Sequence, residues 1–263
     1  MGGRGRTLFD LAFSFAGSLL VLFVALPLAS ALLASSPREL WLSLRDPEIY
    51  RSIALTFGAA ALATGLALAG GVPLAYLLAR RRFRGKGLVE GLVALPVVVP
   101  HTAAGVALLL VFGRRGVLGQ FLEPLGLRFT DNLAGIVVAM LFVSLPFLVT
   151  ASQEAFALVD EELERVALID GASPWQAFRY VSLPLAARGI AAGAVMMWAR
   201  GISEFGAVVI LAYHPKIMPV LVYERFEGFG LPAALPAAVL LILTVLAVFG
   251  LVRRVLRRPI EGS

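Results

Sequence analysis

Arg200 and Glu204 stand four residues apart in a stretch with almost no other charge. At helical spacing they share a face, where a guanidinium and a carboxylate can pair. A charge at mid-membrane costs from about 2.5 to more than 10 kcal/mol by different measures, so each one there needs a reason. Structural pairing is the plain role for these two; gating or anion passage is the sharper one. Ser203 between them adds a hydroxyl. His101 and Thr102 follow Pro100 in an apolar run that also contains Pro96. They can satisfy carbonyls that prolines leave free, or they can touch a solute. Glu90 lies four residues after Lys86, a spacing for an interfacial ion pair; a proton relay is the alternative. Ser144 precedes Leu145-Pro146, where its hydroxyl can satisfy a kink. The chain has no Cys, its two His are far apart, and no nucleophile–base or metal spacing appears. Gly85-Lys86-Gly87 lacks the spaced Gly before it and the Ser or Thr after it that a phosphate loop requires. The residues point to holding or moving charge rather than to bond chemistry.

The elements that carry them are apolar. Of 263 residues 59% are hydrophobic and 15% charged, with a mean hydropathy of +0.89. Soluble domains average roughly 45–50% apolar and about 25% charged, so lipid is the solvent expected here. Six segments, 11–34, 52–79, 88–113, 133–157, 189–213 and 231–252, are each long enough to cross a core of roughly 30 Å, which takes about 20 helical residues. The first follows Arg4 and Arg6 and runs too long for a signal peptide. The segment 88–113 departs most from a plain span, with Glu90, Pro96, Pro100 and His101 inside it. This reads as an all-α, polytopic membrane domain over 1–263, with no soluble domain left over. The net charge of +6 fits basic loops on one side of a membrane better than nucleic-acid binding. The short loop Arg80-Arg81-Arg82-Phe83-Arg84-Gly85-Lys86 and the tail holding Arg253, Arg254, Arg257 and Arg258 resist translocation. Both termini are therefore expected in the cytoplasm of a multi-pass cell-membrane protein.

The longest connection on that side, 158–188, contains the most specific pattern. Asp160 can cap a helix whose first turns hold Glu161, Glu162 and Glu164, where the helix dipole favours acids. Leu163, Val166, Ala167 and Ile169 follow, and Gly171 ends the helix. Ser173 at a cap and Pro174 at the first position start a second helix, with Trp175, Phe178 and Val181 as its apolar stripe. Leu183-Pro184 leads back to the membrane. The expected unit is two short helices joined by a small-residue elbow, Gly171-Ala172-Ser173.

This segment, 158–184, resembles the EAA motif of ABC importer permeases: Glu-Ala-Ala, three residues, Gly, nine residues, Ile, any residue, Leu-Pro. Gly171, Val181, Leu183 and Pro184 match in register. Glu164 lies seven residues before the Gly rather than six, and Arg165-Val166 precede the one Ala kept, Ala167. The stretches Gly71–Arg80, Leu95–Gly105 and Trp198–Ala207 with Tyr223-Glu224-Arg225 look like the molybdate/tungstate permeases, with the sulfate/thiosulfate permeases as close relatives. The resemblance covers roughly 50–250. It implies a type I permease fold and a channel-forming subunit that is not itself an enzyme. It also implies two partner ATPase subunits that bind ATP and Mg, an extracytoplasmic oxyanion-binding protein and homodimerisation. Glu164, Ala167, Gly171, Ala172, Ser173, Pro174 and Trp175 would then couple to the ATPase. His101, Thr102, Arg200, Ser203 and Glu204 are candidates for the pathway. A stand-alone secondary transporter is the rival from another class; it lacks the inverted repeat such folds show.

Overall fold

The computed structural model describes residues 3–257, and the described residues form helices joined by short turns. The elements are α1 (Gly3–Ala34), α2 (Pro37–Leu44), α3 (Pro47–Arg80), α4 (Lys86–Val98), α5 (His101–Phe112), α6 (Gly119–Leu122), α7 (Leu133–Ala157), α8 (Glu161–Ile169), α9 (Pro174–Ala177), α10 (Leu183–Ile202), α11 (Gly206–Leu211), α12 (Met218–Phe229) and α13 (Leu231–Arg257). A 3₁₀ turn, Glu123–Leu125, follows α6, and a π-helical turn, Phe178–Ser182, joins α9 to α10. The described residues form two compact units, one from those up to 50 with those from 221 onward and one from 51–220.

In the larger unit α7 is the central post. It is flanked by α10, α4 and α11, while α5 lies on α11. Its buried face includes Ile136, Met140, Val143, Leu148 and Phe156. In the smaller unit α13 packs on α2 and touches α1. Ser36 caps α2 in a reciprocal box with Glu39, and Pro37 takes the first helical position. Large apolar side chains such as Phe13, Phe23, Leu62, Leu92 and Leu110 point outward. Exposed apolar surface on this scale marks a membrane-facing exterior.

Among the described residues, five helical stretches are long and apolar enough to cross a membrane: Thr7–Ala34, Pro47–Arg80, Leu133–Ala157, Pro174–Ile202 and Leu231–Leu251. The expected span 133–157 is met end to end. The expected single span 88–113 is not straight. Its halves α4 and α5 are bent by 118° at Val99-Pro100, a broken span or a re-entrant segment. Pro100 has no N–H to continue the ladder, and its ring drives Val99 out of the helical region, to ψ 130°.

The expected span 189–213 is displaced. Helix runs from Pro174 through the π turn to Ile202, so the second helix of the 158–184 segment is the start of a span rather than a separate piece. The widened turn makes that possible. The Leu183 N–H reaches back to the Phe178 carbonyl, and Pro184 then needs no bond of its own in the first turn of α10. At the far end α10 stops at Ile202, so Glu204 lies beyond it, between α10 and α11. Of the basic tail, Arg258 lies outside the described residues, as do the side chains of Arg4, Arg6, Arg253 and Arg257.

Candidate functional site

Two assemblies carry the polar chemistry. The first is the expected elbow. The Asp160 side chain accepts from the Glu162 N–H and begins α8, with Glu161, Glu162 and Glu164 in the first turn. Gly171 ends the element at φ +95°, a conformation an L side chain adopts only at a cost of roughly 1–2 kcal/mol. No heavy atom lies within 4 Å of where its Cβ would sit, so backbone conformation alone demands the glycine. The Ser173 hydroxyl accepts from the Gln176 N–H, and Gln176 accepts from the Ser173 N–H. Pro174 sits at the start of α9. Ile169 and Trp175 are largely exposed beside the elbow, at 83% and 68%. Ala167 and Ala172 are half-buried.

Glu164, expected with the coupling residues, turns the other way. Its Oε1 accepts from Arg80 Nε at 2.9 Å and from the Ser182 hydroxyl at 2.6 Å. Its Oε2 accepts from the Tyr76 hydroxyl at 2.9 Å. Arg80 also donates through Nη2 to the Val159 carbonyl at 2.7 Å. Burial by itself pushes the Glu164 carboxyl up. The hydrogen bonds from Ser182, Tyr76 and Arg80, with the Arg80 charge, outweigh burial and hold it below its ordinary value. Tyr76, Arg80 and Ser182 carried no signal as partners in the sequence, since 88, 84 and 18 residues separate them from Glu164.

The second assembly joins the two helix breaks. Glu204 is fully buried. Its Oε1 accepts from the Ala207 N–H at 2.8 Å at the start of α11, and its Oε2 accepts from Arg200 Nη2 at 2.9 Å. The pairing inferred from spacing is therefore present, though across the end of α10 and not along one helix face. His101, the first residue of α5, places Nδ1 3.2 Å from Glu204 Oε2, and Arg200 Nη2 lies 2.8 Å from both imidazole nitrogens. The guanidinium has only N–H groups to offer, so it is the donor to whichever ring nitrogen carries no proton, and the ring stands within ion-pair distance of the carboxylate. Arg200 Nη1 donates to the Ser203 hydroxyl at 3.3 Å, and that hydroxyl donates to the Arg200 carbonyl. Gly206 allows the approach, because a Cβ there would lie 2.8 Å from the His101 Cβ. Side chains of His101 and Arg200 remain 37% and 20% exposed beside buried Glu204. Thr102 is exposed one position on. His101 is thus a partner of charged groups rather than a filler of local backbone.

Glu90 has Lys86 at 3.9 Å, as expected, and also accepts from Gln153 at 2.9 Å. Ser144 donates to the Met140 carbonyl, one turn back, and not to that of Phe142, whose partner Pro146 removes.

Residues 71–261 match the family model described as binding-protein-dependent transport system inner membrane component. The molybdate/tungstate transport system permease protein WtpB of Thermococcus kodakarensis is 42% identical over 243 residues, spanning 92% of this chain and 93% of that protein. This chain belongs to the binding-protein-dependent transport system inner membrane components. A probable sulfate transport system permease protein, cysT of Anthoceros angustus, is 31% identical over 230 residues, covering 85% of this chain and 80% of that one. In fold, the chain is similar to a bacterial ABC transporter involved in import of the acidic polysaccharide alginate, with a TM-score of 0.78, 17% identity and 98% of each chain covered. The matched family region of this inner membrane component contains both assemblies described above. It also contains a groove of about 550 Å³ whose lining includes Ala151, Glu154, Ala155, Leu158, Leu185 and Gly189.

Proposed function

We propose that this chain is the channel-forming permease subunit of an ATP-driven importer for molybdate or tungstate. The observation that carries the reading is the Gly171 elbow: a capped helix, a glycine at positive φ and a second capped helix that runs without interruption into a span. A surface of that shape, with Ile169 and Trp175 exposed beside it, offers a separate ATPase a backbone it can approach closely and apolar groups to fill a pocket. The same elbow is where the importer-permease motif falls in the sequence. The anion class rests on relatives: 42% identity with a molybdate/tungstate permease against 31% with a probable sulfate permease.

In this reading two copies form the pathway and each docks one ATPase, which holds ATP and Mg; the chain itself binds neither. Glu164 braces the loop, and Ala167, Gly171, Ala172, Ser173, Pro174 and Trp175 form or flank the docking knuckle. Both termini face the cytoplasm. A loaded oxyanion-binding protein docks on the other side, near 35–51, 114–132 and 214–230. His101, Thr102, Arg200, Ser203 and Glu204 border the route. Arg200 is committed to Glu204, so the edge they present holds a dianion weakly, and a site of passage must release what it binds.

The test is uptake of labelled molybdate by proteoliposomes carrying the chain with its ATPase and binding protein. Uptake that needs ATP and resists a large excess of sulfate is expected. Sulfate competing as well as molybdate would move the anion class to sulfate. Uptake by this chain alone, driven by an ion gradient, would replace the whole reading with a secondary transporter.

A further inference from the structure

Glu164 sits within the segment assigned to ATPase docking, yet its carboxylate makes three hydrogen bonds inside its own chain. Those bonds join α8 to two other places. Tyr76 and Arg80 lie in the last turns of α3, and Ser182 ends the π turn before α10. Arg80, with a side chain 6% exposed, adds a fourth strand to the knot through the Val159 carbonyl beside α7. The Tyr76 ring packs edge-on against Phe156 of α7 at 5.3 Å and Phe178 of the π turn at 4.8 Å. Aromatic rings hold the centre of the junction and the carboxylate closes it. Hydrogen bonds to a charged acceptor are about twice as strong as neutral ones, so the carboxylate ties this junction firmly. A π turn, by contrast, is a wide and weakly bonded stretch of helix, often found where function is. Ser182 ties that soft turn to α3 through Glu164.

We infer that Tyr76, Arg80, Glu164 and Ser182 are positioning residues that make the elbow move as one body with the adjoining ends of α3 and α10. Glu164 faces this hub and not the ATPase. Without it, motion of the elbow is absorbed in the π turn and reaches α10 diminished. The inference rests on the reading of 158–184 as the docking segment.

The experiment uses the full complex of permease, ATPase and binding protein in proteoliposomes. The variant Tyr76→Phe/Ser182→Ala removes two hydrogen bonds while keeping both ring contacts and the Arg80–Glu164 ion pair. The ATPase should still co-purify and basal ATP hydrolysis should be retained. Molybdate moved per ATP should fall at least about tenfold, the scale set by losing even one of the two hydrogen bonds to the charged group. Amide hydrogen exchange over 161–170 should rise by a similar factor. Glu164→Gln, which keeps shape and removes charge, should do the same; it serves if the double variant fails to fold. Unchanged exchange and unchanged anion per ATP in both variants overturn the inference. So does loss of ATPase co-purification in Glu164→Gln with exchange unchanged, because Glu164 would then reach the partner. If the wild-type complex moves no molybdate, the functional reading fails, and the exchange comparison still decides the hub.

Discussion

Removing the Arg200 guanidinium would leave the enclosed Glu204 carboxylate with the Ala207 amide and the His101 imidazole. Taking one partner from a buried ion pair costs roughly 3–5 kcal/mol, so Arg200→Ala should unfold well below wild type in a detergent thermal melt. Arg200→Met/Glu204→Gln leaves no buried charge and should regain most of that stability. Uptake should stay low in the double variant, because the exposed edge of the pair borders the route; uptake recovering together with stability would make the pair purely structural. At Gly171 the reasoning is conformational. A Cβ at Gly171 meets no neighbour, but Gly171→Val forces a branched side chain to φ +95°. Membrane insertion should be normal, as read by the membrane-bound amount, and ATP-driven uptake should be abolished. The Arg200–Glu204 pair and the Gly171 elbow were legible in the sequence because their logic is local: a four-residue spacing, and a glycine between two caps. The place of His101 beside that pair, 99 residues from Arg200, was not. Nor were the bonds of Glu164, since its partners come from distant helices and no local pattern encodes them.

Among the elements, the turn from α2 into α3 is held to α12 by charge. Arg225 Nη2 donates to Asp46 Oδ2 at 2.6 Å and to Glu48 Oε2 at 3.3 Å. Asp46 Oδ1 accepts from the Glu48 N–H. Burial pushes the Asp46 carboxyl up, but the bonds from Arg225 and the backbone more than offset this and hold it below its ordinary value. A carboxyl depressed in the folded state contributes stability above its unfolded pKa and loses it as pH falls through the folded one. Thermal melts should therefore show Asp46→Asn less stable than wild type at neutral pH, with the gap closing below about pH 4. Helix existence was plain from apolar length, and 133–157 was plain to the residue. The break in 88–113 was not, because two prolines in an apolar run fit a gentle kink as well as a 118° bend. The end of α10 was hidden for a related reason. Apolar residues continue past Ile202, and only the burial of Glu204 against Ala207 and Arg200 shows where the helix yields.

For the molecule as a whole, the proposed orientation depends on which loops hold arginine. The natural absence of cysteine makes the test direct. A single cysteine at Arg115→Cys should react with a membrane-impermeant maleimide added outside intact cells. One at Arg82→Cys should react only after the membrane is opened. The reverse pattern would invert the topology and place the elbow where no ATPase can reach it.

The bend between α4 and α5 also bears on how these helices are held. At about 1.5 Å per residue, the 13 and 12 residues of these helices reach about 20 and 18 Å, short of a bilayer core of roughly 30 Å. Neither half can anchor itself by hydrophobicity as it leaves the insertion machinery. Its final seat is supplied by α7, α10 and α11, which are synthesised later. The two short helices therefore depend for their seat on neighbours that follow them in the chain, and the contact of His101 with Arg200 and Glu204 is one of the bonds that holds them there.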